Sequence, residues 1–177
     1  MVAVTFLVGG ARSGKSNLAV EIGVRHQGPV VFLATAEPFD DDLRGRITRH
    51  RDERPGWPTI EEPLHLAEAL GGRASPTALV IVDCLTVWVG NLFAHEPEAS
   101  RRAERYAAFV DAVQRRTGPT VIVSNEVGLG IHPEHEIARE YRDELGRLNQ
   151  AVASVASHTL FLVAGRAMRL ESPWDLL

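Results

Sequence analysis

Cysteine is almost absent: Cys84 is the only one in 177 residues. That excludes an intrachain disulfide and any four-cysteine metal site, and it suits a reducing compartment. Surplus positive charge is missing too. The formal net charge is −4, whereas nucleic-acid binders carry excess lysine and arginine, so a small-molecule ligand is expected and no nucleic acid. No long apolar run occurs. The apolar start, residues 1–8, has no basic leader and runs into glycine, so it reads as neither a signal peptide nor a membrane span, and a soluble, cytoplasmic protein is expected. Low-complexity tracts, internal repeats and a dividing linker are lacking, so residues 1–177 read as a single domain. What is present is apolar content of 45%, enough at this length for a sizeable core.

Apolar β-formers at residues 2–8 predict a buried parallel strand, closed by Gly9 and Gly10. Leu18, Ala19 and Ile22 then give helical spacing over residues 16–26. Residues 30–34 read as a strand, and Asp40-Asp41-Asp42 suits the N-terminus of a helix running to about Arg51. Three prolines and Trp57 make residues 54–63 an irregular, ordered connection. A short helix is predicted over 64–70, stopped by Gly71-Gly72. Next come a strand at 78–82 ending in Asp83 and a helical stretch through Trp88 and Phe93. A helix over 100–116, a strand at 120–124, a long helix over 136–156 and a last strand at 159–164 complete the series. Strands alternating with helices predict a mostly parallel sheet covered on both faces, with ligands gathered at the carboxyl ends of the strands, where Gly9, Asp83 and Asn125 would sit.

Gly9-Gly10-Ala11-Arg12-Ser13-Gly14-Lys15-Ser16 satisfies G-x-x-x-x-G-K-[ST] between a predicted strand and a predicted helix, the context this phosphate-binding loop requires. Small residues let backbone N–H groups turn toward phosphates, and the helix N-terminus adds a favourable field. Lys15 would reach the β- and γ-phosphates and the Ser16 hydroxyl would help hold Mg²⁺. Asp83 ends an apolar strand, as does the carboxylate that completes the Mg²⁺ site in such proteins; a helix-capping aspartate is the plainer alternative. Cys84 has no histidine or lysine beside it in sequence and reads as a small buried residue. Arg46 and His50 fall one helical turn apart on a basic stretch, Arg46-Ile47-Thr48-Arg49-His50-Arg51-Asp52-Glu53-Arg54. A neutral imidazole there could attack the α-phosphorus of a triphosphate. A solvated helix face is the ordinary reading of such a run.

Taken together, these blocks resemble the bifunctional adenosylcobinamide kinase and adenosylcobinamide-phosphate guanylyltransferase family of cobalamin biosynthesis. The resemblance covers nearly the whole chain. It includes the loop at residues 9–16, Ala34-Thr35-Ala36, Arg46-Ile47 through His50, Arg54-Pro55, and Trp57 with Glu61-Glu62-Pro63. It continues through Asp83-Cys84-Leu85-Thr86, Ser124-Asn125-Glu126-Val127-Gly128-Leu129-Gly130-Ile131, and the run from Arg142 to Gln150. It implies a P-loop NTPase (RecA-like) three-layer fold, a mostly parallel β-sheet flanked by helices, in one kinase/guanylyltransferase domain. It also implies two reactions: phosphorylation of adenosylcobinamide with ATP or GTP, then transfer of GMP from GTP to adenosylcobinamide phosphate, releasing pyrophosphate. The guanylylated histidine carries over to His50. Where some members have two adjacent histidines, this chain has Arg49-His50.

Nucleotide contacts carry over to the phosphate loop, to Ala34, Thr35 and Ala36, to Arg51, Asp52, Glu53 and Arg54, and to Glu61 or Glu62. Asp83 aligns with an acidic position, for which a metal role with Ser16 and a guanosine role both stay open. A homotrimer is implied. Asn125 and Glu126 read either as a substrate or subunit contact or as a turn held by side-chain hydrogen bonds. The remaining histidines, Trp57 and Trp88 read as surface or packing residues. The tail, residues 171–177, reads as disordered or docked on a neighbour. A small-molecule kinase without the histidine step, and a nucleotide-regulated binding module, are the alternatives.

Overall fold

The computed structural model describes residues 3–37 and 55–177. Strand β1 is Val4–Gly9, helix α1 Lys15–Arg25, β2 Val30–Ala34 and β3 Thr59–Glu61. A single turn, α2 at Leu66–Glu68, runs into a π-helical turn at Ala69–Arg73. Then follow β4 at Leu79–Asp83, α3 at Leu85–His95, α4 at Ala99–Arg115, β5 at Thr120–Val123 and α5 at Glu136–Val155. Strands β6, His158–Val163, and β7, Arg166–Leu170, complete a seven-stranded sheet of order β3-β2-β4-β5-β1-β6-β7. Only the β6–β7 pair is antiparallel. The helix expected over residues 40–51 lies outside the described residues.

The strands read as continuous apolar runs because both faces are covered. Side chains alternate across the sheet. Val4, Phe6, Val8, Val31, Leu33, Val80 and Val82 join one core with α3, α4 and α5. Leu7, Val30, Phe32, Leu79, Ile81, Val121 and Leu162 join the other, where Ala19, Leu18 and Ile22 of α1 meet Trp57. Trp88 is 1% exposed in the first core, edge-on to Tyr106 at 5.6 Å, and its Nε1 donates to the Leu64 carbonyl at 2.9 Å. Trp57 and Trp88 are therefore packing residues.

On the outer layer, Arg102 of α4 is buried, and its charge is tolerated because every N–H finds an acceptor. Nε and Nη2 donate to Glu144 of α5 at 3.0 and 2.8 Å, Nη2 also to Glu140, and Nη1 to the carbonyls of Glu96 and Pro97. Tyr106 Oη donates to Glu144 at 2.8 Å. Burial works to raise the Glu144 pKa, but these hydrogen bonds and the Arg102 charge outweigh it and hold it below its ordinary value.

Three expectations change. Residues 54–63 are not wholly irregular, because Thr59–Glu61 adds a parallel edge strand to β2. Pro58 fits there since it only accepts, from Phe32 N at 2.9 Å, and an edge needs no donor from it. The strand at 158–163 is not the last. The chain turns through Ala164 and Gly165, at φ 50° and 71°, and returns as β7, an exposed edge bearing Arg166 and Arg169 that the alternation of buried and exposed residues could not reveal. The short helix expected over 64–70 does not stop at Gly71-Gly72 but continues as a π-turn to Arg73. The tail carries a 3₁₀ turn, Pro173–Asp175, with the Ser172 hydroxyl accepting from Trp174 N.

Candidate nucleotide site

Carboxyl ends of β1, β2, β3, β4 and β5 lie along one edge, and the phosphate loop rises from β1 into α1. Gly9 sits at φ +153°, where an added Cβ would fall 2.3 Å from the Leu162 carbonyl oxygen, so the loop leaves β1 pressed against β6. Arg12 and Gly14 take positive φ, 56° and 100°, which turns successive N–H groups toward one side. No side chain caps α1 and no acid occupies its first turn, leaving its N–H groups and dipole available to an anion. Gly10, Ala11 and Arg12 are exposed, Ser13 and Lys15 are buried, and Ser16 is half-buried. Lys15 Nζ donates to the Gly10 carbonyl at 2.6 Å and to Ser13 Oγ at 3.3 Å. Burial pushes its ammonium pKa down, opposed by the negative charge of Asp83. The β6–β7 turn braces the loop from outside, Gly165 N donating to the Ser13 carbonyl at 3.0 Å.

Asp83, half-buried at the end of β4, stands opposite Ala34 of β2 and Val123 of β5. The capping alternative does not hold, since the N-cap of α3 is Cys84. The Asp83–Cys84 peptide is cis. Burial and the Asp83 charge push the Cys84 thiol up to about 12, so it is an inert thiol at neutral pH. Thr35 is 0% exposed, and its hydroxyl donates to the Cys84 carbonyl at 2.8 Å while accepting from Cys84 N at 2.9 Å. Ala34 and Ala36 beside it are half-buried. Glu61 is exposed at the end of β3. Glu62 faces another way, accepting from Leu64 N and His65 N at 3.2 and 2.9 Å and from Arg73 at 2.8 Å. Burial alone would raise the Glu62 pKa, but those backbone donors and the nearby positive charges hold it below the ordinary carboxylate value. His50, Arg51, Asp52, Glu53 and Arg54 lie outside the described residues.

Asn125 and Glu126 form a turn of the side-chain-bonded kind. Asn125 N donates to Thr86 Oγ1 at 2.8 Å, Asn149 Nδ2 to the Asn125 carbonyl at 3.0 Å, and Gly128 N to Glu126 Oε1 at 2.6 Å. Glu126 N reaches the Gly9 carbonyl at 3.1 Å, tying this turn to the phosphate loop. Asn149 is structural, its Oδ1 accepting from Ser124 Oγ at 2.7 Å. Sequence reasoning missed Asn91, whose Nδ2 donates to the carbonyls of Thr35 and Pro63 at 2.8 and 3.1 Å. The available signal was a polar residue inside the apolar stretch of α3. No group of three or more metal-ligating side chains of the His/Cys/Asp/Glu type occurs among the described residues. No described helix is long and apolar enough to cross a membrane.

Comparison with known proteins agrees with this geometry. Solved structures with similar folds include a protein from Pyrococcus horikoshii OT3, with TM-score 0.57 at 10% identity over 98% of this chain and 88% of that one. The RadB recombinase matches with TM-score 0.50 at 17% identity over 90% and 73%. At such identities they speak for the fold alone, a mostly parallel sheet flanked by helices. Among curated relatives, the bifunctional adenosylcobalamin biosynthesis protein CobP of Pseudomonas aeruginosa is 40% identical over 93% of this chain and 95% of its own length. The bifunctional adenosylcobalamin biosynthesis protein CobU of Escherichia coli is 35% identical over 97% and 99%. The sequence model described as cobinamide kinase / cobinamide phosphate guanyltransferase matches residues 5–170. With its phosphate loop, Asp83 and Thr35 gathered on one sheet edge, this chain belongs to the cobinamide kinase / cobinamide phosphate guanyltransferase family.

Proposed function

We propose that this chain phosphorylates adenosylcobinamide and then guanylylates the product. In the first reaction the substrate hydroxyl oxygen attacks the γ-phosphorus of ATP or GTP; a new P–O bond forms, the nucleoside diphosphate leaves and the hydroxyl proton is lost. In the second, a neutral imidazole nitrogen of His50 attacks the α-phosphorus of GTP, forming an N–P bond as the bond to pyrophosphate breaks. A phosphate oxygen of adenosylcobinamide phosphate then displaces the histidine, giving adenosyl-GDP-cobinamide. The observation that carries this reading is the phosphate loop braced by Gly165 and Glu126 at the sheet edge where β4 ends in Asp83, in a chain of this family.

The loop N–H groups and the α1 dipole hold the phosphates, and Lys15 exchanges the Gly10 carbonyl for phosphate oxygens as charge grows on them. The Ser16 hydroxyl and the Asp83 carboxylate are hard oxygen donors suited to Mg²⁺, which when bound neutralises phosphate charge. Because the Glu62 carboxylate is committed to Leu64, His65 and Arg73, we assign the nucleotide-facing acid to Glu61. Arg51, Asp52, Glu53, Arg54, Ala34 and Ala36 complete the nucleotide contacts. We place the enzyme in the cytoplasm as a homotrimer of one-domain subunits.

Intact-protein mass spectrometry after incubation with GTP and Mg²⁺, beside a His50→Ala control, tests this. An added GMP mass on the wild type alone is expected. GTP binding with no adduct would leave a kinase only and remove His50 from the chemistry.

A further inference from the structure

The geometry points to Thr35 and Asn91 as a positioning pair that fixes the Asp83 carboxylate and the end of β3 relative to the phosphate loop, without either side chain touching nucleotide. The inference rests on the functional reading above and goes beyond it, since the family resemblance gives Thr35 only as part of a nucleotide-contact segment and gives Asn91 no role.

The ladder between β2 and β4 ends at the Ala34–Asp83 pair. Beyond it, Thr35 N still donates to the Asp83 carbonyl at 3.2 Å, and the chain paths would then part, β2 into a loop and β4 into α3. The Thr35 hydroxyl carries the connection one residue further. It donates to the Cys84 carbonyl and accepts from Cys84 N, at 2.8 and 2.9 Å, so both backbone groups that follow the Asp83 carbonyl are held by one side chain. A fully buried hydroxyl engaged in both directions presents nothing to a ligand.

Asn91 grips the same place from behind. It is 6% exposed on α3, and one amide nitrogen spends its two hydrogens on the carbonyls of Thr35 and Pro63. Pro63 follows Glu61 and Glu62, whose segment is itself anchored by Glu62 N donating to the Ala34 carbonyl at 2.9 Å. Thus Asn91 ties the carboxyl ends of β2 and β3 to the helix that begins at the end of β4. The ends carrying Asp83 and Glu61 are thereby tied together at the site edge. Removing a buried donor leaves its acceptors unpaired, and the local backbone must move to satisfy them. Partners one step behind a carboxylate that meets a metal ion set its aim, and their loss costs roughly 10- to 100-fold in metal affinity or activity.

The test compares Thr35→Val, which keeps the side-chain volume and deletes the hydroxyl, with Thr35→Ser, which restores it. Affinity for a fluorescent GTP analogue is measured in EDTA and across a Mg²⁺ titration, beside turnover in both reactions and thermal unfolding. Expected for Thr35→Val is about a tenfold or larger rise in the Mg²⁺ concentration that half-saturates nucleotide binding, with a comparable fall in kcat. Metal-free affinity should stay within about twofold, because the phosphate loop is untouched. Thr35→Ser should recover most of both losses. Should Thr35→Val fail to fold, Asn91→Ala, which removes the two donors from the opposite side, is expected to give the same metal-selective loss. Unchanged Mg²⁺ dependence, equal impairment of Val and Ser variants, or an equal loss of affinity in EDTA would each overturn the inference. A wild type that binds GTP yet turns over neither substrate would refute the functional reading instead, leaving the metal-dependent binding comparison as the test of the pair.

Discussion

Under the function proposed here, the neighbours Glu61 and Glu62 have opposite duties. Glu62 accepts two backbone N–H groups and an arginine, so Glu62→Gln should lower the unfolding midpoint by the equivalent of about 1 kcal/mol and leave the GTP KM alone. Glu61→Gln should do the reverse, raising the GTP KM roughly tenfold with little change in stability. Steady-state kinetics beside calorimetry on the two variants separates them, and the opposite pattern would exchange their roles. Sequence offered both glutamates and no means of choosing, because the turn at Leu64 and His65 that engages Glu62, on which our assignment of Glu61 rests, leaves no local pattern. The phosphate loop, by contrast, was legible residue by residue: its chemistry comes from eight consecutive positions and needs no distant partner. Thr35 and Asn91 lie 56 positions apart, and no local pattern records that they meet.

Among the elements, α4 and α5 are joined by the buried ion pair of Arg102 with Glu144. Arg102→Ala should cost about 3–5 kcal/mol, because it takes from buried Glu144 its paired charge and leaves Tyr106 Oη as its side-chain donor. The pH dependence follows from the lowered pKa of Glu144. A carboxylate whose folded pKa lies below its unfolded value contributes stability that is fully present above the unfolded value, near 4.3. That contribution is lost as pH falls through the folded one. Melting temperature should therefore decline as pH drops from about 5 toward 3, and less steeply in Glu144→Gln, which has no proton to take up. A wild type and variant with parallel acid limbs would show that Glu144 is not the group responsible. Both helices were readable from apolar spacing to within a residue at each end. The two edge strands were not: β3 has three residues between prolines, and β7 buries no side chain and so leaves no period to read.

At the scale of the whole molecule, the two cores meet across one sheet, and the nucleotide site lies on the edge they share. A ligand bound there should stabilise the entire fold, by about 2.7 kcal/mol at a hundred times its Kd. Differential scanning calorimetry with GTP should show the melting temperature climb with nucleotide concentration, and Lys15→Ala should flatten that climb while leaving the ligand-free transition near its original position. A Lys15→Ala variant that responds like the wild type would place nucleotide elsewhere. The closing turn at Gly165, hydrogen-bonded to Ser13, bears on how the protein is made. Strand β1 sits between β5 and β6, so a growing chain carries the phosphate loop from the start of its synthesis as a design without a frame. Translation must carry past His158 before β1 gains its second neighbour, and past Gly165 before the loop is braced. A chain ending short of that hairpin is therefore expected to carry the whole phosphate-loop motif without its brace and to hold nucleotide more weakly than the full chain.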